Sequence, residues 1–470
     1  MSSEFDLHIR GGTAVLPGLG ATATDIYVSS GKIAALAAPD APPLASREVL
    51  DAQDRVVIPG VIDAHVHLGQ DIMAPRNAGE VAAETGSAAA GGVTAMLVYL
   101  MSGQPYEPLF DSVRGLMEDH SHTDFGFHFC VGSADHVRAV PKYAAELGVS
   151  SFKFFMSFRG DEGAYLGLPG NDDGLLYEFL EKTAESGAMA NPHAENIELI
   201  WRLRREARKD PGAGLPEWSS ARPGYAEAEA LQRVAYLASV TGASVYAVHV
   251  TCAAALEALV RQRARYPHVF IETCPHYLTL DATSPVGTRG KVNPPLRTRA
   301  DAARLWQGLD DGTIDVIGSD HVPRHYAAKD KDLWSASAGF PGTGTLLPLL
   351  VTEGHLARGT SLERLVEATS TRPAQLFGLY PRKGVIRPGS DADLAVLDLR
   401  HDGVIDAATQ HSGAEYSVWQ GWPVRCRVEH TIVRGRLAVR DGALTEPAGA
   451  YLWRAHSGAT ALAESGLIGS

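Results

Sequence analysis

The sequence is poor in cysteine, in long apolar runs and in positive charge, and each shortage removes a class of protein. Its 470 residues include only 4 cysteines. These are Cys130, Cys252, Cys274 and Cys426, and no two form a CxxC pair, so neither a disulfide framework nor a thiolate zinc knot organises the chain. No apolar run approaches the roughly 18 residues needed to span a bilayer. The opening Met1-Ser2-Ser3-Glu4-Phe5-Asp6 lacks the basic and apolar segments of a signal peptide. Lys and Arg number 42 against 55 Asp and Glu, a net charge of −13. With both signs spread along the chain, that balance argues against nucleic acid or an anionic membrane as partner. What is present, 45% hydrophobic and 21% charged residues, predicts a soluble, cytoplasmic globular protein. It is too long for one ordinary domain.

Two strand-rich ends enclose a different middle. Phe5-Asp6-Leu7-His8-Ile9-Arg10 and Thr24-Asp25-Ile26-Tyr27-Val28 alternate apolar and polar residues, and the same texture returns in Asp393-Leu394-Ala395-Val396-Leu397-Asp398 and Thr431-Ile432-Val433-Arg434-Gly435. This pattern predicts one small β-sandwich built from residues 1–57 and 385–447. Residues 448–470 have weak periodicity and read as a mobile tail or an arm onto a neighbouring subunit. Between them, residues 58–384 hold apolar runs at 61–66, 93–100, 125–131, 151–156, 188–193, 244–250, 268–274 and 314–319. Helical patterns such as 175–186, 225–241 and 254–266 separate them. Short runs buried on both faces and followed by helices are what a parallel barrel needs. The α/β fold class expected is a (β/α)8 TIM barrel, whose active site lies at the strand C-terminal ends.

Polar residues of one chemical kind cluster at those ends. His65 and His67 close the first run on a shared strand face, spaced to reach one ion. Lys153 interrupts the apolar Ser151-Phe152-Lys153-Phe154-Phe155-Met156, where a buried amine is unfavourable without a partner. His193 ends the fifth run, His249 the sixth, and Asp320 follows the eighth. Each has an ordinary explanation alone: a snorkelling lysine, a packed histidine, an aspartate capping a helix. Together, each on its own strand end, they suit divalent metal, with imidazole and carboxylate favouring Zn²⁺. Five direct ligands cannot close two tetrahedral shells. Lys153 that has taken up CO₂ becomes a carbamate offering two oxygens and a negative charge, so it can bridge two ions about 3.5–4 Å apart.

Beyond this chemistry, longer motifs carry a resemblance. Gly60-Val61-Ile62-Asp63-Ala64-His65-Val66-His67, Lys153, His193-Ala194-Glu195-Asn196, Thr273-Cys274-Pro275-His276-Tyr277-Leu278, Asn293-Pro294-Pro295-Leu296-Arg297, Gly318-Ser319-Asp320-His321 and Gly389-Ser390-Asp391-Ala392-Asp393 resemble the cyclic amidohydrolases. That group contains dihydropyrimidinases, hydantoinases, allantoinases and dihydroorotases. The resemblance implies His65 and His67 on the more buried ion and His193 and His249 on the more exposed one. It also implies N6-carboxylated Lys153 between them, Asp320 as ligand and general base, and a homo-dimer or homo-tetramer. The implied reaction is hydrolytic opening of a cyclic amide, ureide or imide by a hydroxide shared between the ions. Allantoinase, imidase and catalytically silent scaffold relatives are the alternatives.

Substrate choice is written in fewer residues. Dihydroorotases place an arginine two residues after the second metal histidine. Here Leu68-Gly69-Gln70 follows His67, which argues against dihydroorotate. Hydantoinases and dihydropyrimidinases generally carry a tyrosine where this chain has Phe158. A phenyl ring cannot donate to the developing oxyanion, and losing one such donor typically lowers rate by about 10²–10³. Arg159, Tyr165 or His321 could supply the missing donor, Ser157 could after a one-residue shift, or the favoured ring differs from hydantoin. Asn293 stands where relatives hold the ring amide, and the Gly- and Asp-rich stretch 159–174 reads as a lid.

Overall fold

The computed structural model describes residues 4–157, 159–164, 170–210 and 212–467. Strands β1 (Phe5–Leu16), β2 (Gly20–Ser29), β3 (Lys32–Ala37), β4 (Ser46–Asp51) and β5 (Val56–Pro59) come first. Strands β6 (Val61–Val66), β7 (Val93–Leu100), β8 (Asp124–Val131), β9 (Ser151–Phe155), β10 (Met189–His193), β11 (Ser244–Ala247), β12 (Val269–Thr273) and β13 (Val316–Ile317) alternate with helices. Strands β14 (Leu394–Asp398), β15 (Gly403–Val404), β16 (Pro423–Val424), β17 (Arg427–Val433), β18 (Arg436–Arg440) and β19 (Ala443–Leu444) end the series.

The middle strands β6 to β13 form one parallel sheet in sequence order. Every residue in them is buried, as both faces of a barrel wall require. The seam between β6 and β13 is closed by the segment after β13. His67 N–H donates to the His321 carbonyl at 2.8 Å, and Ser319 N–H donates to Asp63 Oδ1 at 3.0 Å. Thr343, in the glycine-rich loop, donates through its hydroxyl to Asp63 Oδ2 at 2.8 Å. The eight apolar runs thus become the wall of a nearly closed barrel. Two of them make shorter strands than their apolar content suggests. After β11 the backbone turns at His249, with φ of 42°, and after β13 it turns at Asp320, with φ of 49°. Such left-handed residues cannot continue a ladder.

The terminal strands form a separate nine-stranded sheet from both ends of the chain, and it branches at β1. The first half of β1 pairs with β4, while Thr13 and Ala14 pair with β5. Strand β5 then pairs with β14, aligning Pro59 with Leu394. Leu7, Ile26, Leu50, Val57, Leu394 and Ile432, drawn from both branches, share one buried cluster.

The mobile-tail or neighbour-arm reading of the last segment does not hold for residues 448–467. Phe125 N–H donates to Ala450 O at 3.0 Å and Leu452 N–H returns to Phe125 O at 2.7 Å. Arg454 is fully buried, donating to Ser151 Oγ at 2.8 Å and to the Phe127 carbonyl. Ser457 and Gly458 N–H groups reach Gly187 O and Leu376 O. These partners lie at or near the strand beginnings, so the segment covers the N-terminal face of the barrel. Its periodicity is weak because it docks through backbone bonds and one arginine. Within 159–174, residues Asp161–Ala164 make one short helix, and Phe158 and Tyr165 lie outside the described residues.

Candidate metal centre

The barrel brings the six proposed ligands to one spot. His65 stands within β6 and His67 just past it, Lys153 in the middle of β9, and His193 at the last position of β10. His249 and Asp320 follow β11 and β13. His65 Nε2 lies 3.2 Å from Asp320 Oδ1 and 3.2 Å from Lys153 Nζ. Ligand atoms of His65, His67 and Asp320 fall within 4.8 Å of one another. His249 Nε2 faces His193 Nδ1 at 3.0 Å, and the His65 and His249 rings are 5.4 Å apart. The two left-handed residues of the barrel wall, His249 and Asp320, are both in this group, and backbone strain of that kind concentrates at functional sites.

Carboxylates behind the imidazoles aim them. Glu272 Oε1 takes His65 Nδ1 at 2.7 Å and the His249 N–H at 2.7 Å, while its Oε2 accepts from the Tyr246 hydroxyl at 2.7 Å. His193 Nε2 meets Glu195 Oε2 at 2.9 Å, and Arg222 holds Glu195 through Nε at 3.1 Å and Nη2 at 2.7 Å. With Nδ1–H given to Glu272, His65 turns its Nε2 lone pair inward. With Nε2–H given to Glu195, His193 turns in Nδ1. This is how metal-binding histidines are oriented.

The residues fit divalent cations. Burial lowers the pKa of His65, His67, His193 and His249, favouring the neutral imidazole that ligates metal. His67 Nδ1 is buried with no hydrogen-bond partner among the described residues. Burial raises the Asp320 carboxyl above the ordinary range, with Lys153 opposing and Glu272 and Asp63 adding to the rise. Burial likewise pushes Glu272 up to about 7. Carboxyls so placed become stable anions when positive charge is brought beside them, and a dication is the largest local source of it. Lys153 is buried and its pKa is lowered chiefly by that burial. Its Nζ sits 4.5 Å from the Tyr99 ring centre.

A cavity of about 570 Å³ opens above this group, with His67, Lys153, His193, His249 and Asp320 on its lining. That size suits a small ligand. The proposed substrate contacts divide. Asn293 lines the cavity, and its Oδ1 accepts from Trp218 Nε1 at 3.2 Å. Arg159 lines a smaller neighbouring cavity instead and pairs with Glu198 at 3.1 Å. His321 is fully buried and turned away, its Nε2 3.0 Å from Glu84 Oε2 and its Nδ1 accepting from Gly342 N–H at 3.1 Å. It braces the seam rather than the cavity. Ser157 is buried, with no partner for its Oγ among the described residues.

Sequence reading passed over Glu272, Glu195, Arg222 and Tyr99. Glu272 had a signal, being the one charged residue in the apolar Val269-Phe270-Ile271-Glu272-Thr273. Arg222 had none, because its partner lies far back in the chain.

Comparison with known proteins agrees with this picture. Residues 56–438 match the amidohydrolase family model. A D-phenylhydantoinase of Escherichia coli is 33% identical over 439 residues, covering 90% of this chain and 93% of the relative. The structure of an L-hydantoinase (dihydropyrimidinase) from Arthrobacter aurescens superposes with a TM-score of 0.88 at 30% identity, covering 96% of this chain and all of the other. A dihydropyrimidinase from Brevibacillus agri gives 0.86 at 29% identity, covering 96% and 99%.

Proposed function

Since the chain belongs to the amidohydrolase family, we propose that it opens a cyclic amide, ureide or imide ring in the manner of hydantoinases and dihydropyrimidinases. The observation that carries this reading is the convergence of His65, His67, Lys153, His193, His249 and Asp320 beside one cavity at the strand C-terminal ends. His65 and His67 would hold one Zn²⁺, His193 and His249 the other, with Asp320 as a further ligand. The ions, when bound, supply a strong nucleophile at neutral pH and polarise the ring carbonyl.

The chain's own residues do the rest. The Lys153 amine, kept neutral by burial, is the form that adds to CO₂: a nitrogen–carbon bond forms, one proton leaves, and the carbamate carries the negative charge two cations need between them. Glu272 and Glu195 hold two imidazoles in ligating orientation. Asp320 accepts a proton from the attacking water and returns it to the leaving ring nitrogen. The site walls off bulk water, which strengthens each of these electrostatic effects. The buried, free state of all four cysteines suits a reducing cytoplasm, and a homo-dimer or homo-tetramer is the expected assembly.

The test is a panel of hydantoins, dihydropyrimidines, allantoin and cyclic imides given to zinc-loaded wild type and Phe158→Tyr, with metal content measured in parallel. About two metal ions per chain and hydrolysis of at least one ring class are expected, and the preferred class separates hydantoinase from allantoinase or imidase action. Phe158→Tyr should raise hydantoin turnover if that position lacks its donor. Less than one ion per chain after loading, with no ring opened, would overturn the proposal.

A further inference from the structure

The cavity mouth has a charge of its own that ring opening does not require. In a chain carrying a net −13, the cavity wall gathers Arg204, Arg208, Lys291 and Arg324, while its described acids are Asp320 among the ligands and Asp71 at the rim. Asp71 lies 3.5 Å from the guanidinium of Arg76, which is not part of the wall. The cations come from three separate strand-end loops. Arg204 stands on the helix Ile197–Ala207, which follows His193, and Arg208 caps its end. The spacing of four puts both guanidinium stems on one helix face. Lys291 follows β12, and Arg324 stands just beyond Asp320.

Each cation is also positioned by its surroundings. Arg324 is buried and donates to the carbonyls of Ala338 at 3.2 Å and Gln70 at 3.0 Å. Lys291 Nζ is buried on the carbonyls of Leu333 at 2.7 Å and Ala336 at 2.6 Å. Arg208 lies 5.5 Å over the Trp334 ring, and Trp334 meets Trp218 edge-to-face at 5.7 Å. The wall therefore pairs an apolar surface with a cationic rim. A cleft lined by one sign of charge concentrates ligands of the other, and the guanidinium fork matches a carboxylate in geometry.

We infer that the substrate is a cyclic amide whose exocyclic substituent ends in a carboxylate, held by Arg204 and Arg208 with Arg324 adding to the field. This rests on the ring-opening reading: with the reacting amide facing the ligands, a substituent on the ring projects toward the mouth. The indoles of Trp218 and Trp334 would flank its methylene spacer. The anion site is distinct from the dihydroorotase clamp, whose position next to His67 is occupied here by Leu68-Gly69-Gln70.

The experiment compares two hydantoins alike in shape, one with a carboxyethyl and one with a carbamoylethyl substituent, in the zinc-loaded enzyme. The ratio of their kcat/KM values is the readout. Wild type should favour the acid by about tenfold or more, as expected for charge-assisted hydrogen bonds, and added salt should shrink the ratio. The ratio should fall toward unity in Arg208→Gln and further in Arg204→Gln/Arg208→Gln. A wild-type ratio at or below one, or a ratio the double variant does not move, overturns the inference while leaving ring opening intact. If the enzyme opens no ring of the wider panel either, the ring-opening reading fails and this inference falls with it.

Discussion

Asp320 separates the two readings its sequence position allowed. As a helix cap it would contribute about 1 kcal/mol of stability; as proton carrier it should be indispensable. Asp320→Ala is expected to abolish ring opening while shifting the melting temperature by only a few degrees. Near-normal turnover in that variant would remove it from the proposed mechanism. Glu272 tests the support behind the ligands. Glu272→Gln leaves an amide where His65 Nδ1 and the His249 N–H now meet a carboxylate oxygen, and metal affinity should drop by about 10–100-fold in a competition titration with a chelator. Unchanged affinity would show that packing alone orients His65. At this scale the proposed ligands were legible because polar side chains at the ends of apolar runs are conspicuous. Their supports were less so. Glu195 is held by Arg222, which belongs to a loop with no periodicity, so only the folded chain pairs them. Arg159 and His321 sit close to the site in sequence, yet one turns to a neighbouring cavity and the other to the barrel seam.

Among the elements, the barrel strands were readable because burial on both faces writes an uninterrupted apolar run. The ends of β11 and β13 were not, since a single left-handed residue stops each ladder without a change in hydrophobicity. The segment over the barrel's N-terminal face was misread for a related reason: it is recognised by backbone pairing with Phe125 and by Arg454, neither of which leaves a periodic trace. Arg454→Met should therefore destabilise the protein measurably. It strands the Phe127 carbonyl and the Ser151 hydroxyl, and each stranded buried group costs about 1–3 kcal/mol. Chemical denaturation would read the loss, and an unchanged midpoint would show that the segment merely rests on the barrel. Gly148→Ala is a second probe of the same contact. Gly148 has φ of +67°, and a Cβ there would run into the Trp453 indole, so both strain and displacement of the segment are expected.

Across the whole molecule, barrel and terminal sheet are stapled by one buried ammonium. Lys383 is 1% exposed, with Nζ 2.8 Å from Asp124 Oδ2 of the barrel and 3.3 Å from Asp391, and it also pairs with Asp393 beside β14. Burial lowers its pKa, but Asp393, Asp124 and Asp391 more than reverse this, and the net shift is upward. A raised lysine stabilises fully below its unfolded-state value of about 10.4 and loses that contribution as pH climbs through the folded value. Thermal melts should thus show wild type weakening above about pH 10.4. Lys383→Met should be less stable at neutral pH by about 3–5 kcal/mol, because the carboxylates are left buried without their partner, and should show less of the alkaline decline. Equal stability of the two proteins at neutral pH would argue against the staple. The pairing of Pro59 in β5 with Leu394 in β14 has a consequence for how the polypeptide is made. Ribosomes emit about 5–20 residues per second, so β5 leaves the exit tunnel on the order of tens of seconds before its partner exists. Through that interval the newborn chain carries an unsatisfied apolar edge, and its safe maturation depends on whatever shields that edge until translation ends.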